Sequence, residues 1–457
     1  DQFFEQLAIA VKRGQVAQHF YGDNLEGYYE GHTHAYARGA GYILSRRALY
    51  RDFLSWCGER LNDRASAEGA QILPYGVRHL HGPSWWDEFM LLRKRKAVAL
   101  RVYSRRPQSL ALAPLLELRR EHATVYPADG AFLISNPERS LHIAVSSSQP
   151  FKHDGTTERE GLFAPIFRTL QEETEFTLYL AFSRQAERAV EQARRLREDD
   201  GVRAHKQGLF DLLTRSTLFS NDTDYNRALA WAKLSSLFLV TEEFGKGIWA
   251  GLPWFKDNWG RDTFIALPGT LLVSGQFEEA RDVIRTFARW QNKDPKSKDC
   301  GRVPNRVASP TDIIYNTTDG TPWLIREIGD YLQYTGDTAF AEEIFPVVRL
   351  ALEGALKNFA DAKGFLTHDD ADTWMDARIE GNRPWSARGN RANDIQALWH
   401  AALLTGARLA AMNGEKALAK KWLGGAEKLA KNFAKAFWDP KQKALADRIR
   451  KDGSRDM

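Results

Sequence analysis

The chain has 457 residues, of which 43% are hydrophobic and 27% charged, with a formal net charge of +5. It exceeds the ~100 to 200 residues of a typical domain, so two or three domains are expected, and no run reaches the ~18 to 20 apolar residues of a membrane-spanning helix. Lys and Arg are interleaved with Asp and Glu, which describes a solvated mixed surface rather than a nucleic-acid face, and no phosphate loop for a nucleotide cofactor occurs.

The opening DQFFEQLAIAVKRG mixes charge with apolar residues and lacks the apolar core of a secretory signal. The first residue is Asp rather than Met, so localisation stays open. A cytoplasmic place is favoured, with export allowed if the N-terminus was processed. Residues 1–183 read as an N-terminal β-rich domain whose first ~70 residues form a helical and loop extension. From about residue 70 the segments AVALRVYS, ATVYPA, AFLISN, LHIAVSS and FTLYLAFS, separated by turn formers, predict an antiparallel sheet, most plausibly a β-sandwich. The basic run LLRKRKAVAL at 91–100 reads as two strands and an exposed turn. Cys57 and Cys300 are the two cysteines and read as packing residues rather than a disulfide. His32 and His34, and again His79 and His81, form H-x-H pairs that would suit a metal hydrolase. Without a matching downstream ligand set, ordinary strand or loop histidines are the preferred reading, so no metal is expected.

At Arg184 the period changes. RQAERAVEQARRLRED has helical spacing, which makes 184–205 a linker helix. Residues 206–457 then show amphipathic segments near 206–218, 225–241, 261–274, 276–292, 321–335, 337–360, 393–413 and 415–436, with Asp224 and Asp337 as caps. They pair through alternating tight Gly turns and long polar loops, the pattern of an α/α toroid. A bundle or a solenoid is the alternative, and no fixed repeat supports the solenoid.

Three loops hold the unusual residues. GLPWFKDNWGRDT at 251–263 offers Trp254, Phe255 and Trp259 to line a sugar subsite, and Arg261 with Asp262 to grip vicinal hydroxyls. Alternatively, Asp262 is a helix cap and Arg261 a structural partner. GRVPNRVAS at 301–309 and YNTTDGTPWLI at 315–325 present Asn316, Asp319 and Trp323, with Asp319 either a hydroxyl ligand or a cap. Residues 365–399 pack six acidic residues and three tryptophans into 35 positions. Cleaving a glycosidic bond requires a carboxylic acid and a carboxylate. Asp376, after the apolar Trp374 and Met375, sits where partial desolvation would keep it protonated. Asp369, Asp370 and Asp372 read as turn residues. Eight of the 14 tryptophans lie between Trp249 and Trp399, which favours carbohydrate, because aromatic faces stack on sugar rings.

PWFKDNWGRDTFIALPG, SGQFEEAR, VPNR, YNTTDGTPW, YTGD, DTWMDA and DIQALW, in that order over roughly 248–403, resemble the amylo-α-1,6-glucosidase domain of glycogen debranching enzymes of the archaeal and bacterial type. The resemblance implies a multidomain protein with an (α/α)6 toroid behind an N-terminal β-rich domain. It also implies an α-glucan partner, glycogen or limit dextrin, and inverting hydrolysis of an α-1,6-linked glucose stub. By the same resemblance Asp376 is the general acid, Arg261 and Asp262 hold the nonreducing glucose, and Trp254, Trp259, Asn316, Asp319 and Trp374 shape the pocket. Asp394 stands where the family usually has Glu before IQALW, and is carried as a substrate-binding residue. A toroid of six hairpins needs twelve helices and about eight are visible, so the toroid is expected to be incomplete in this chain. The resemblance also implies that the second catalytic carboxylate lies beyond residue 457. Other readings are a toroidal exo-α-glucosidase of different linkage specificity and a noncatalytic glucan-binding protein.

Overall fold

The computed structural model describes residues 1–36, 38–135 and 141–457. Asn136, the last residue of the AFLISN segment, lies outside them. Contacts divide the chain into two compact units, Asp1–Glu243 and Phe244–Met457.

The first unit is built on two antiparallel sheets. One runs, in spatial order, through Ile9–Lys12, Gly69–Leu73, Gly76–Gly82, Trp85–Leu92, Ala97–Gln108, Glu173–Ser183, His142–Ser146, Ala131–Ser135 and Thr124–Ala128. The other runs through Phe151–Arg159, Leu162–Thr169, Leu110–Leu116, Arg47–Cys57, Gly41–Leu44, Gly27–His32 and Gln18–Gly22, with Arg60–Leu61 paired to Arg47–Cys57. Leu110–Leu116 is buried at every position, as a central strand covered on both faces must be. The basic run forms the expected hairpin, with Leu92 opposite Ala97 and Lys94 left-handed at φ 53° in the turn.

Residues 1–70 differ from the helical and loop extension expected of them. Among the described residues of this stretch, α1 (Gln2–Leu7) and a single 3-10 turn at Arg64–Ser66 are helical, and strands from Ile9 to Leu61 take both sheets to their edges. The segments QHFYG and GYYEGH carry Gly, His and Tyr in place of Val and Ile, so β-propensity is faint there. Burial supplies the order instead. Tyr21, Tyr29, Tyr42 and Tyr50 are each at most 2% exposed, and Tyr29 stacks on Phe89 with ring centroids 3.9 Å apart.

Three more helices, α2 (Ala186–Glu198), α3 (Gly201–Thr214) and α4 (Thr223–Leu237), belong to this unit as well. On α2, Ala189, Ala193 and Leu196 recur at helical spacing and are buried, forming the stripe that covers the sheet. Ser146 Oγ donates to the Ala193 carbonyl at 2.5 Å. The Asn24 amide donates to the carbonyls of Leu237 (2.6 Å) and Val240 (3.0 Å), satisfying acceptors that the end of α4 leaves open. Helical period therefore begins at Arg184, while the compact unit continues to Glu243. The cap of α4 is Asp222, which accepts from Tyr225 N at 3.0 Å, and Asp224 stands in the first turn.

In the second unit α5 (Gly260–Leu267) runs into a π-helical turn over Pro268–Leu272 and is followed by α6 (Phe277–Arg289). Two further hairpins are α7 (Gly320–Thr335) with α8 (Thr338–Asn358), and α9 (Asn393–Met412) with α10 (Lys416–Phe437). The hairpin turns carry glycines in the left-handed region: Gly275, Gly336 and Gly414, at φ 71°, 66° and 79°. Asp337 caps α8 as expected, accepting from Phe340 N at 3.0 Å. Helices α5, α7 and α9 pack side by side. Each follows a polar loop and starts from the same end of its hairpin, so the three unusual loops meet. No helix among the described residues is long and apolar enough to cross a membrane.

Candidate active site

The meeting point is Arg261, in the first turn of α5. The strand pair Asn258–Trp259 with Arg306–Ser309 sets its position, with Trp259 opposite Arg306, and Gly260 N donates to the Asn305 carbonyl at 2.7 Å. Gly260 is required by this approach, since a Cβ there would lie 2.3 Å from the Pro304 carbonyl oxygen.

The Arg261 guanidinium joins all three loops. Nε donates to Asp319 Oδ2 at 2.5 Å and Nη2 to Asp319 Oδ1 at 3.1 Å, a bidentate pair, while Nη2 also reaches the Thr373 carbonyl at 2.7 Å. Nη1 donates to Asp376 Oδ2 at 2.9 Å. The planar fork of an arginine suits this arrangement, because each edge donates to a separate carboxylate. Asp319 is 1% exposed and occupies the cap position of α7, yet its side chain makes no cap bond. The helix-cap alternative for Asp319 is thereby set aside, and so is that for Asp262, since the cap position of α5 is Trp259.

Asp376 is the open end of the cluster. Its side chain is 34% exposed against 2% for Asp319, and among the described residues Oδ1 makes no protein hydrogen bond. Its neighbour Trp374 points outward, 56% exposed. The group against Asp376 is therefore the guanidinium rather than an apolar shield. Asp262 stands beside the same cluster; burial, then the nearby carboxylates of Asp376 and Asp319, push its carboxyl above the ordinary value, and Arg261 opposes them.

Trp254 is 79% and Phe255 54% exposed, while Trp259 lies under Arg306, whose guanidinium carbon is 5.8 Å from the ring centre. Asn316 Oδ1 accepts from Asn305 Nδ2 at 3.1 Å. Asp394, in the first turn of α9, makes no hydrogen bond to this cluster. It accepts from Arg388 Nη1 at 2.8 Å, and Arg388 Nη2 donates to Asp447 at 2.7 Å. The Arg388 guanidinium carbon lies 5.6 Å from the Trp374 ring centre, so Asp394 reaches the site through a second arginine.

Arg388 was not legible from sequence, and neither was Arg302. Arg302 pairs with Asp299 at 2.9 Å and donates to Thr318 Oγ1 at 2.9 Å and the Tyr315 carbonyl at 3.2 Å, holding the loop that ends in Asp319. Asp370 accepts from Gly389 N at 2.6 Å and Asp372 from Asp369 N at 3.4 Å, local bonds that brace the third loop. Among the described residues no group of three or more His, Cys, Asp or Glu side chains is arranged to hold a metal ion. His79 Nδ1 and His81 Nε2 lie 2.8 and 2.7 Å from the two Asp87 oxygens, all within the first unit. Cavities of about 660 and 500 Å3 lie in the first unit, the former lined by α2, the basic turn and the start of α3, the latter by residues such as Leu44, Ser45, Phe182 and Arg188. Converging carboxylates, rather than cavity size, single out the Arg261 cluster as the candidate site.

Residues 230–457 match the family described as amylo-alpha-1,6-glucosidase. That part of the chain belongs to this family. A glycogen debranching enzyme of Saccharomyces cerevisiae is 31% identical over 127 residues, a stretch covering 27% of this chain and 8% of the yeast protein. Among solved structures, a bacterial glucoamylase complexed with acarbose superposes with a TM-score of 0.53 at 11% identity, over 98% of this chain and 74% of the other. A protein described as a kojibiose phosphorylase from the human microbiome gives a TM-score of 0.54 at 10% identity, over 97% and 65%. These likenesses place the family's helices in an α/α toroid fold preceded by large antiparallel sheets.

Proposed function

We propose that this protein is a glycoside hydrolase that releases glucose from α-1,6 branch stubs of a glycogen-like glucan with inversion, and that Asp376 is its general acid. The observation that carries the reading is the Arg261 fork with a fully sequestered carboxylate on one edge and an open one on the other. Arg261 donates to Asp376 Oδ2, which leaves Oδ1 as the oxygen to carry the proton and point it at the glycosidic oxygen. Asp319 is occupied by Arg261 and holds the guanidinium fixed. Asp262 and Asn316 bind hydroxyls of the nonreducing glucose, and Trp254, Trp259 and Trp374 give it apolar faces. Asp394 acts at one remove, fixing Arg388 against Trp374.

An inverting enzyme needs a second carboxylate ~6.5 to 9.5 Å from the acid, leaving room for a water on the opposite face of the sugar. We assign that role neither to Asp319, which Arg261 occupies, nor to Asp452 or Asp456. The test is anomer-resolved NMR of sugar released by the complete protein from phosphorylase-limit dextrin. β-Glucose as the first product is expected. Initial α-glucose would exclude inversion, and cleavage of maltose or isomaltose without release from dextrin would replace the debranching role by another α-glucosidase specificity.

A further inference from the structure

One exposed indole near Asp376 has no part in the scheme above. Trp385 is 67% exposed and closes a hairpin that begins two residues beyond Asp376. Arg378–Ile379 pairs antiparallel with Arg383–Pro384, and Trp385 N donates to the Ala377 carbonyl at 2.8 Å. Glu380 and Gly381 adopt left-handed φ values of 45° and 87° in the turn, which closes it in three residues. The backbone of Trp385 is thus tied to the residue adjacent to the acid by main-chain bonds, and its ring is not held in a core.

Three other tryptophans of this unit are core residues. Trp249, Trp399 and Trp422 are at most 3% exposed. A single exposed aromatic carries no message by itself; what distinguishes Trp385 is that its braced backbone is bonded to the residue beside Asp376, where an indole face is suited to stack on a sugar ring. The rim of the hairpin is polar, with Arg383 paired to Glu380 at 3.0 Å and Arg378 donating to the Asn382 carbonyl at 3.3 Å. A flat apolar face bordered by hydrogen-bonding groups matches the C–H face and hydroxyl edge of a pyranose ring.

We infer that Trp385 is the stacking platform for the glucan on the leaving-group side of the scissile bond. The inference rests on the acid role of Asp376, since a general acid faces the oxygen that departs and the residue bonded beside it borders the departing sugar. Trp385 therefore reads the length of the leaving chain, and leaving groups without a sugar ring gain little from it.

The experiment compares Trp385→Ala and Trp385→Phe with the wild type, in the complete protein, on limit dextrin and on α-glucosyl fluoride, whose leaving group has no ring to stack. Trp385→Ala is expected to lower kcat/KM on dextrin about ten- to hundred-fold, mostly through KM. The loss on the fluoride should be at least about tenfold smaller, and Trp385→Phe should recover most of the dextrin activity. Equal losses on both substrates, or unchanged dextrin kinetics, would overturn the inference. If the wild type turned over neither substrate, the hydrolase reading would fail instead. Retardation in glycogen-containing gels then decides the matter: loss of retardation from Asp376→Asn to Asp376→Asn/Trp385→Ala supports the platform, and equal retardation refutes it.

Discussion

Each unit contains a buried arginine gripping a buried aspartate, and the two pairs end differently. In the first unit Arg64 and Asp52 are ion-paired at 2% and 4% side-chain exposure, enclosed by Tyr36 and Phe53, whose ring centres lie 4.7 Å from the guanidinium carbon. In the second, Arg261 and Asp319 are almost as buried, but the free edge of the arginine carries Asp376, a third of which faces solvent. The same chemical pair is structural when every edge is enclosed. It can serve a reactive site, as proposed for Arg261, when one edge is left for a second, accessible carboxylate.

The sharpest way to break this contrast is to neutralise one carboxylate in each unit. Asp376→Asn keeps the shape and removes the proton donor, so turnover of dextrin should fall by roughly 10² to 10⁴-fold or more, while the thermal midpoint stays within a few degrees of wild type. Wild-type turnover in that variant would remove Asp376 from the acid role. Asp52→Asn should do the reverse. Stripping a buried arginine of its counter-charge costs about 3 to 5 kcal/mol, visible as a lower urea midpoint, with the kcat of the folded fraction preserved.

A gentler test is pH. Burial depresses His79 to about 4 and His19 and His205 to about 3, against an ordinary 6.5. Below 6.5 the unfolded chain takes protons that the folded one refuses, so this stability is complete above pH 6.5 and is lost as pH falls towards 4 and 3. Asp23, pushed up to about 7 by burial, acts in the opposite sense, because its cost is relieved on acidification. The three histidines, joined by the depressed His34 and His153, outweigh Asp23 and the likewise raised Asp52, leaving a net loss on the order of a few kcal/mol between pH 7 and 5 at roughly 1.4 kcal/mol per unit. In the second unit burial, followed by the charge of Asp330, raises Glu327 to about 8, and burial raises Asp262 and Asp372. Acid therefore strengthens that unit, with the depressed His368 in partial opposition. Hydrogen exchange resolved by segment should show protection falling between pH 7 and 5 in the strands from Gly69 to Gln108, but held or raised in α7. A uniform response would erase the distinction between the units.

The two units also differed in how much their sequence revealed. Helical period, glycine turns and Asp337 located α5 to α10 within a few residues, because an amphipathic stripe repeats over several turns. The first ~70 residues concealed their strands, since a Tyr-, Gly- and His-rich strand declares itself only through neighbours distant in sequence. Asp224 and Asp222 flank Thr223 with equal chemical claim to the cap, and only backbone geometry chose between them. In the site, residue types showed in the loops while pairings did not. Arg261 stood out as a residue type, but its bonds to Asp319 and Asp376 could not be read from the sequence. Arg388, six residues before Asp394, had no periodic or motif signal to announce it.

The partners of Arg261 lie 58, 112 and 115 residues further along the chain. Closing contacts of that span costs entropy that local helix formation does not repay. Hairpins α5/α6, α7/α8 and α9/α10 can each form early, yet the reactive cluster exists only once all three have docked in register. On the proposed assignment, activity would report the docking of these three hairpins rather than the formation of their helices. A lesion in any hairpin should silence the enzyme while its helical content is still intact.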